Sequence, residues 1–176
     1  MPRVLHLFGA AAPPVAGFPQ VVRRVRDAGW EVCVGLTPTA ADWLADQVPH
    51  LEDVTGRPVR SQYKRPGEPD VWPKADVILF APITMNSLNA WALGITSSFP
   101  VGVVAEGIGK DVPLVTMPCV NSAYAQHPQF ARSVETLRAV GVTVLYGAGG
   151  FAPNPPGEKR PYPWDTALAA ATQFRR

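Results

Sequence analysis

The chain has 176 residues, 47% hydrophobic and 17% charged, enough to bury one sizeable core and too few for two full domains. Sixteen Lys and Arg against fourteen Asp and Glu leave a formal charge of +2, too nearly balanced for the electrostatic footprint of a nucleic-acid binder. Apolar stretches are interrupted well before the roughly 18 residues a membrane span needs. Cys33 lies in an apolar run and Cys119 far from it, which offers neither a disulfide framework nor a Cys-rich zinc site. The expectation is a soluble cytoplasmic protein with no metal centre and no nucleic-acid or membrane partner.

The first element is a strand over Arg3 to Phe8. Its apolar start followed by Ala10 to Ala12 loosely imitates a secretory signal, but His6 and Gly9 interrupt it. Phe18, Val21, Val22 and Val25 then repeat at three and four, with Arg23, Arg24, Arg26 and Asp27 on the other face and Gly29 as terminator, which predicts a helix. Trp30 to Leu36 reads as a second strand. A helix is expected after Thr37-Pro38-Thr39, with Thr39 as N-cap and Trp43, Leu44 and Val48 on its apolar face. Pro49 to Lys74, rich in Pro, Gly and charge, reads as a surface loop. Strands follow at Asp76 to Phe80, Pro113 to Met117 and Val142 to Leu145, all short, Val/Leu/Ile-rich and suited to cover on both faces. A helix from about Ser122 to Val140 carries the stripe Phe130, Val134 and Leu137 and ends at Gly141. Gly147 to Pro163 reads as a second loop, suited to a lid or a subunit contact as well as to a connector.

Alternating strands and helices predict a single doubly wound, mostly parallel α/β sheet with Rossmann-like or flavodoxin-like layering, in which ligands bind beyond the carboxyl ends of the strands. Residues 1–146 form the expected domain, and residues 147–176 a Pro/Gly-rich extension with a short helix packed on it. The loop Gly9-Ala10-Ala11-Ala12-Pro13-Pro14 lets a ligand approach the backbone ahead of the first helix, but it lacks the second and third glycines of GxGxxG, and the chain has no Gly-Lys-Ser/Thr of a P-loop. Thr37 and Thr39 place two hydroxyls at a helix start on the same sheet edge, so one phosphate can be shared by both loops.

After the third strand comes Ala81-Pro82-Ile83-Thr84-Met85-Asn86-Ser87, and after the fourth Pro118-Cys119-Val120-Asn121-Ser122-Ala123-Tyr124. These segments resemble the Pro-Ala-Ser/Thr-Ala-Asn-Thr and Pro-x-Met-Asn-x-x-Met motifs of the flavin-containing cysteine decarboxylases, the family of phosphopantothenoylcysteine decarboxylase and the lantibiotic peptidyl-cysteine decarboxylases. Pro82, Thr84, Asn86, Pro118 and Asn121 match, Ser87 is conservative, and Ile83, Met85, Val120 and Tyr124 depart. Glu106 also falls where the family carries a Glu before the fourth strand. The resemblance spans roughly residues 3 to 146. It implies an FMN protein in which Gly9, Ala11, Thr37 and Thr39 take the phosphate and ribityl chain. Pro82, Thr84, Asn86 and Ser87 lie along the isoalloxazine, and Asn121 holds a cysteine carboxylate. It further implies a homotrimer or higher homo-oligomer with the flavin between subunits, and a small-molecule or cysteine-containing peptide substrate.

One position departs more seriously. The family's catalytic His, about eight residues ahead of the Asp matching Asp76, is Glu68 here, and no histidine occurs from Thr55 to Asp76. Glu68 fills that role only if burial raises its pKa. Asn121, Glu68 and Cys119 are therefore the candidate catalytic residues. His6 reads as structural, and His50 and His127 as capping or exposed. Arg57, Arg60, Lys64 and Arg65 make the rebuilt loop basic, as a solvated face or as a receiver of an anion. Three readings stay open: oxidative decarboxylation of a cysteine-like thiol, another FMN-dependent reaction such as the family's prenyl transfer, and a non-catalytic flavin-binding or regulatory subunit.

Overall fold

The computed structural model describes residues 1–174. Five parallel strands, β1 (Arg3–Gly9), β2 (Trp30–Leu36), β3 (Val77–Ile83), β4 (Leu114–Pro118) and β5 (Thr143–Val144), form one sheet in the order β2-β1-β3-β4-β5. This is the flavodoxin-like doubly wound order, whose strand order reverses between β1 and β3 and opens a crevice there. The central strands are apolar on both faces, as a sheet covered by helices requires: every residue of β3, from Val77 to Ile83, is buried.

Alternate residues of β1 show the two layers. His6 and Phe8 point to Trp72 and Phe99, whereas Gly9 points to Val15 and Phe18. On the second side lies α1 (Phe18–Asp27), entered through a short 3-10 turn at Pro13–Gly17 and burying Phe18, Val21, Val22 and Val25. Beside it lies α8 (Trp164–Thr172), with Trp164 edge-on to Phe18, Arg24 paired to Asp165, and Ala167 and Ala171 fully buried over β3 and β4. On the first side α4 (Met85–Leu93) packs between α5 (Phe99–Gly109) and α7 (Pro128–Ala139).

Three sequence expectations need correction. The helix after β2 is α2 (Pro38–Trp43), with Thr37 rather than Thr39 at the N-cap position because Pro38 suits the first helical position; Trp43 is exposed and Leu44 lies just past the helix end. Pro49–Thr55 is not loop but most of α3 (Val48–Thr55), which buries Leu51 and Thr55 four apart and ends at Gly56 with φ 67°. The density of Pro and Gly beyond Gly56 hides this helix, and Pro49 itself is a good helix starter. The expected helix from Ser122 is two, α6 (Ser122–Ala125) and α7, because Pro128 begins a new first turn capped by His127, whose Nδ1 accepts the Gln129 N–H at 3.1 Å.

The segment beyond α3 runs beside the free edge of β2, with Leu36 N–H donating to Arg60 C=O at 2.8 Å and Arg60 N–H to Val34 C=O at 3.1 Å. It then crosses the first side as a strap. Trp72 packs on His6, Phe8 and Phe99, and Trp72 Nε1 donates to Pro58 C=O at 2.9 Å. No helix among the described residues is long and apolar enough to cross a membrane.

Candidate functional site

The carboxyl ends of β1, β3 and β4 border a cavity of about 1020 Å³. Three turns and the chain beyond β5 supply its walls. Ala11 and Ala12 come from the β1 turn, and their small side chains leave the backbone approachable. From the β3 turn come Thr84, Met85 and Asn86. Thr84 is in extended conformation at the N-cap of α4, and its Oγ1 accepts Ser87 N–H at 3.3 Å, leaving the Met85 and Asn86 N–H groups of the first turn without an intrahelical acceptor. Pro82 follows a cis peptide bond within β3.

The β4 turn adds Cys119, Val120 and Asn121. Asn121 caps α6, its Oδ1 accepting Tyr124 N–H at 2.9 Å, which turns its NH2 group elsewhere. The segment 151–164 closes the remaining side. It is tied to the β4 turn by Ser122 N–H donating to Asn154 C=O at 2.8 Å and by Tyr162 Oη donating to Met117 C=O at 2.5 Å. Burial, with Cys119 beside it, pushes the Tyr162 phenol well above its ordinary range, and burial also raises the Cys119 thiol. Both stay neutral at neutral pH, so Cys119 presents the cavity with a thiol and not a thiolate.

The structure thus brings together Ala11, Thr84, Asn86, Cys119 and Asn121 on one cavity. Ser87 is buried behind the β3 turn. Gly9 is buried too: a Cβ there would lie 2.5 Å from Phe18 Cζ and 2.8 Å from Val15 Cγ2, so the close packing of Phe18 and Val15 on the sheet requires a glycine here. Thr37 and Thr39 stand outside the wall, Thr37 buried with its N–H on Gly9 C=O at 3.0 Å and Thr39 exposed. Glu68 is elsewhere. Its Oε2 accepts Arg65 N–H at 2.8 Å, and it borders a second, smaller cavity with Arg60, Tyr63 and Lys64.

Sequence reasoning missed Asn89 and Asn154, which also line the main cavity. Asn89 is three residues beyond Asn86 and so shares its helix face, a signal present in the spacing. Asn154 lies in a stretch whose Pro and Gly content announces only a loop. No group of three or more metal-ligating side chains occurs among the described residues.

The chemistry of the wall suits a flat heteroaromatic ligand. Apolar faces from Met85, Val120, Phe151 and Trp164 alternate with the carboxamides of Asn86, Asn89, Asn121 and Asn154, and charge is confined to Glu158, Lys159 and Arg160 at the extension. A flavin, with a broad apolar ring system, an edge of hydrogen-bonding atoms and a distal phosphate, fits this donor set.

Comparisons with known proteins agree with the geometry. The chain spans 82–97% of itself in superpositions on the FMN-dependent cysteine decarboxylase TvaF from thioviridamide biosynthesis (TM-score 0.76, 19% identity, covering 97% of this chain and 96% of that one), the cypemycin decarboxylase CypD (0.73, 20%, 97% and 92%) and the FMN-dependent cysteine decarboxylase SpaF (0.69, 24%, 82% and 83%). These likenesses establish a shared fold. A curated relative, the coenzyme A biosynthesis bifunctional protein CoaBC of Thermococcus kodakarensis, is 31% identical over 72 residues, 41% of this chain and only 18% of that protein's length. The sequence pattern of the Flavoprotein family matches residues 4–175, and the chain belongs to that family.

Proposed function

We propose that the chain binds FMN in the cavity at the ends of β1, β3 and β4 and oxidatively decarboxylates a cysteine-bearing peptide or small molecule. The observation that carries this reading is the convergence of the Thr84–Asn86 and Cys119–Asn121 turns, the two segments that resemble the decarboxylase motifs, on one apolar, carboxamide-studded cavity. Solved structures of the same fold include FMN-dependent cysteine decarboxylases, which supports it.

In this reading the first turn of α4 and Asn86 line the isoalloxazine, with Pro82 and Ser87 fixing the turn from behind. Ala11 marks the phosphate end, beside the 3.0 Å hydrogen bond by which the buried Gly9 and Thr37 join the β1 and β2 turns, and Thr39 lies outside the wall beyond it. FMN supplies a two-electron acceptor, so that a thiol-bearing carbon can be oxidised as the neighbouring carboxylate leaves as CO2, giving an enethiol. Asn121 offers its NH2 group to that carboxylate. Cys119, neutral, shapes the wall beside it. Glu68 is exposed on the second cavity, so a proton-accepting role for it needs burial against a neighbouring copy in a homotrimer or larger assembly. Two free cysteines are consistent with the cytoplasm.

The position of Glu68 on the second cavity favours one alternative, FMN chemistry other than decarboxylation. Two measurements separate the readings. Purified protein shows flavin absorption near about 370 and 450 nm under both, and incubation with cysteine-ended peptides gives a product lighter by about 46 mass units, CO2 plus two hydrogens, under the first alone.

A further inference from the structure

Asn89 stands one turn along α4 from Met85 and Asn86, on the same cavity. Its Oδ1 accepts the Ser133 hydroxyl at 2.7 Å, and Ser133 Oγ in turn accepts from Gln129 Nε2 at 3.1 Å. Ser133 is fully buried, and its hydroxyl has a single hydrogen to give. That hydrogen goes to Asn89, so the relay Gln129–Ser133–Asn89 fixes the carboxamide with its oxygen toward α7 and its NH2 edge away from it. The NH2 group has no protein partner among the described residues, and it is not among the buried unpaired side-chain atoms, which are His6 Nδ1 and Trp91 Nε1. Asn89 itself borders the cavity.

Asn121 is built in the same sense. The Tyr124 N–H occupies its oxygen at 2.9 Å and leaves its NH2 free. Two carboxamides on the cavity wall, one from α4 and one from the β4 turn, thus have their oxygens taken by the protein and their NH2 groups without a protein acceptor. A group that only accepts, a carboxylate, satisfies such a wall. A carboxamide ligand brings its own NH2 and leaves donor facing donor.

We propose that Asn89 is a second donor for the substrate carboxylate, held in orientation by Ser133 and Gln129, and that it selects a free carboxylate over an amide. The identity of the ligand rests on the decarboxylase reading above; the orientation of the donors does not.

The test titrates N-acetyl-L-cysteine, and separately its amide, into protein incubated with FMN, following the side-chain amide NMR signals of Asn89 and Asn121. The acid is expected to shift both signal pairs and to bind at least about tenfold more tightly than the amide, as a hydrogen bond to a charged group implies. Asn89→Asp keeps an acceptor for Ser133 but turns the cavity edge from donor to acceptor, and is expected to abolish the acid preference of the flavin-loaded fraction. Ser133→Ala releases the carboxamide and is expected to weaken acid binding about threefold while leaving flavin content unchanged. Asn89 signals that stay still while those of Asn121 move, the absence of movement in both, or a flavin-loaded Asn89→Asp protein that keeps the acid preference would each overturn the proposal. Protein that takes up no FMN yet shows both pairs shifting with the acid overturns the flavin reading and leaves the donor pair standing.

Discussion

The cavity at the ends of β1, β3 and β4 and the strap from Gly56 to Asp76 are both rich in residues that interrupt regular structure, and they use their polar groups in opposite ways. In the strap, donors are spent on the protein itself. Trp72 Nε1 donates to Pro58 C=O, Tyr63 Oη donates to Thr96 C=O at 2.7 Å, and His6 Nε2 meets Pro73 C=O at 2.9 Å. The Arg60 guanidinium lies 4.1 Å from the Phe99 ring centre, over apolar surface rather than toward open solvent. In the cavity, the carboxamide oxygens of Asn89 and Asn121 are tied down while their NH2 groups have no protein acceptor. A segment that closes its own hydrogen bonds around aromatic rings serves as a brace, and one that leaves donors open is prepared for a ligand.

The largest effect expected from this contrast is on stability alone. Trp72→Ala removes the ring that packs on His6, Phe8 and Phe99, and should cost about 4 kcal/mol in chemical denaturation while flavin binding by the folded fraction is kept. Equal loss of flavin affinity would show that the strap belongs to the site.

Second comes a pH dependence. Burial pushes His6 down to about 4 from its ordinary 6.5, against the partial support of the Pro73 carbonyl and with Arg60 adding to the depression. The folded state then binds fewer protons than the unfolded one between these values. Stability is full above about pH 6.5, declines as pH falls toward 4, and has lost about 3 kcal/mol below that. His6→Gln should flatten the decline, and an unchanged profile would remove His6 as the brace's weak point.

Third, Asn86→Asp puts a negative charge at the exposed rim of the cavity and should weaken FMN at least about tenfold, with folding stability changed by no more than about 0.5 kcal/mol. A variant that stays fully loaded would move the flavin away from the β3 turn. The smallest effect is at the far end of the strap. A Cβ on Gly102 would lie within van der Waals overlap of Tyr63 Oη, and Tyr63 is an exposed side chain able to swing out. Gly102→Ala should therefore cost only about 1 kcal/mol, the worth of the lost hydrogen bonds, and should leave the cavity untouched.

Much of this layout is legible in the sequence because the strands are short, apolar and separated by helices of clear period, so that β2 is found from Trp30 to Leu36 and α1 from its stripe of Phe18, Val21, Val22 and Val25. The β3 and β4 turns are legible through their motifs, since Thr84 and Asn121 are both cap residues whose chemistry is local. What escapes the sequence depends on contacts between distant segments. Nothing in the order of residues says that Trp72 crosses the sheet to reach His6, or that Ser133 of α7 sets the orientation of Asn89 on α4. Glu68 shows the same limit: its register with the motif places it at a catalytic position, while the fold of a single chain places it beside Arg60 and Lys64, away from Asn121.

The central claim is met most directly by a crystal structure grown with saturating FMN. The account predicts isoalloxazine density between Ala11 and the Thr84–Asn86 turn, with the Asn121 carboxamide facing the remaining space. A cavity filled by its own side chains, or FMN bound only at the Arg60 cavity, would contradict it.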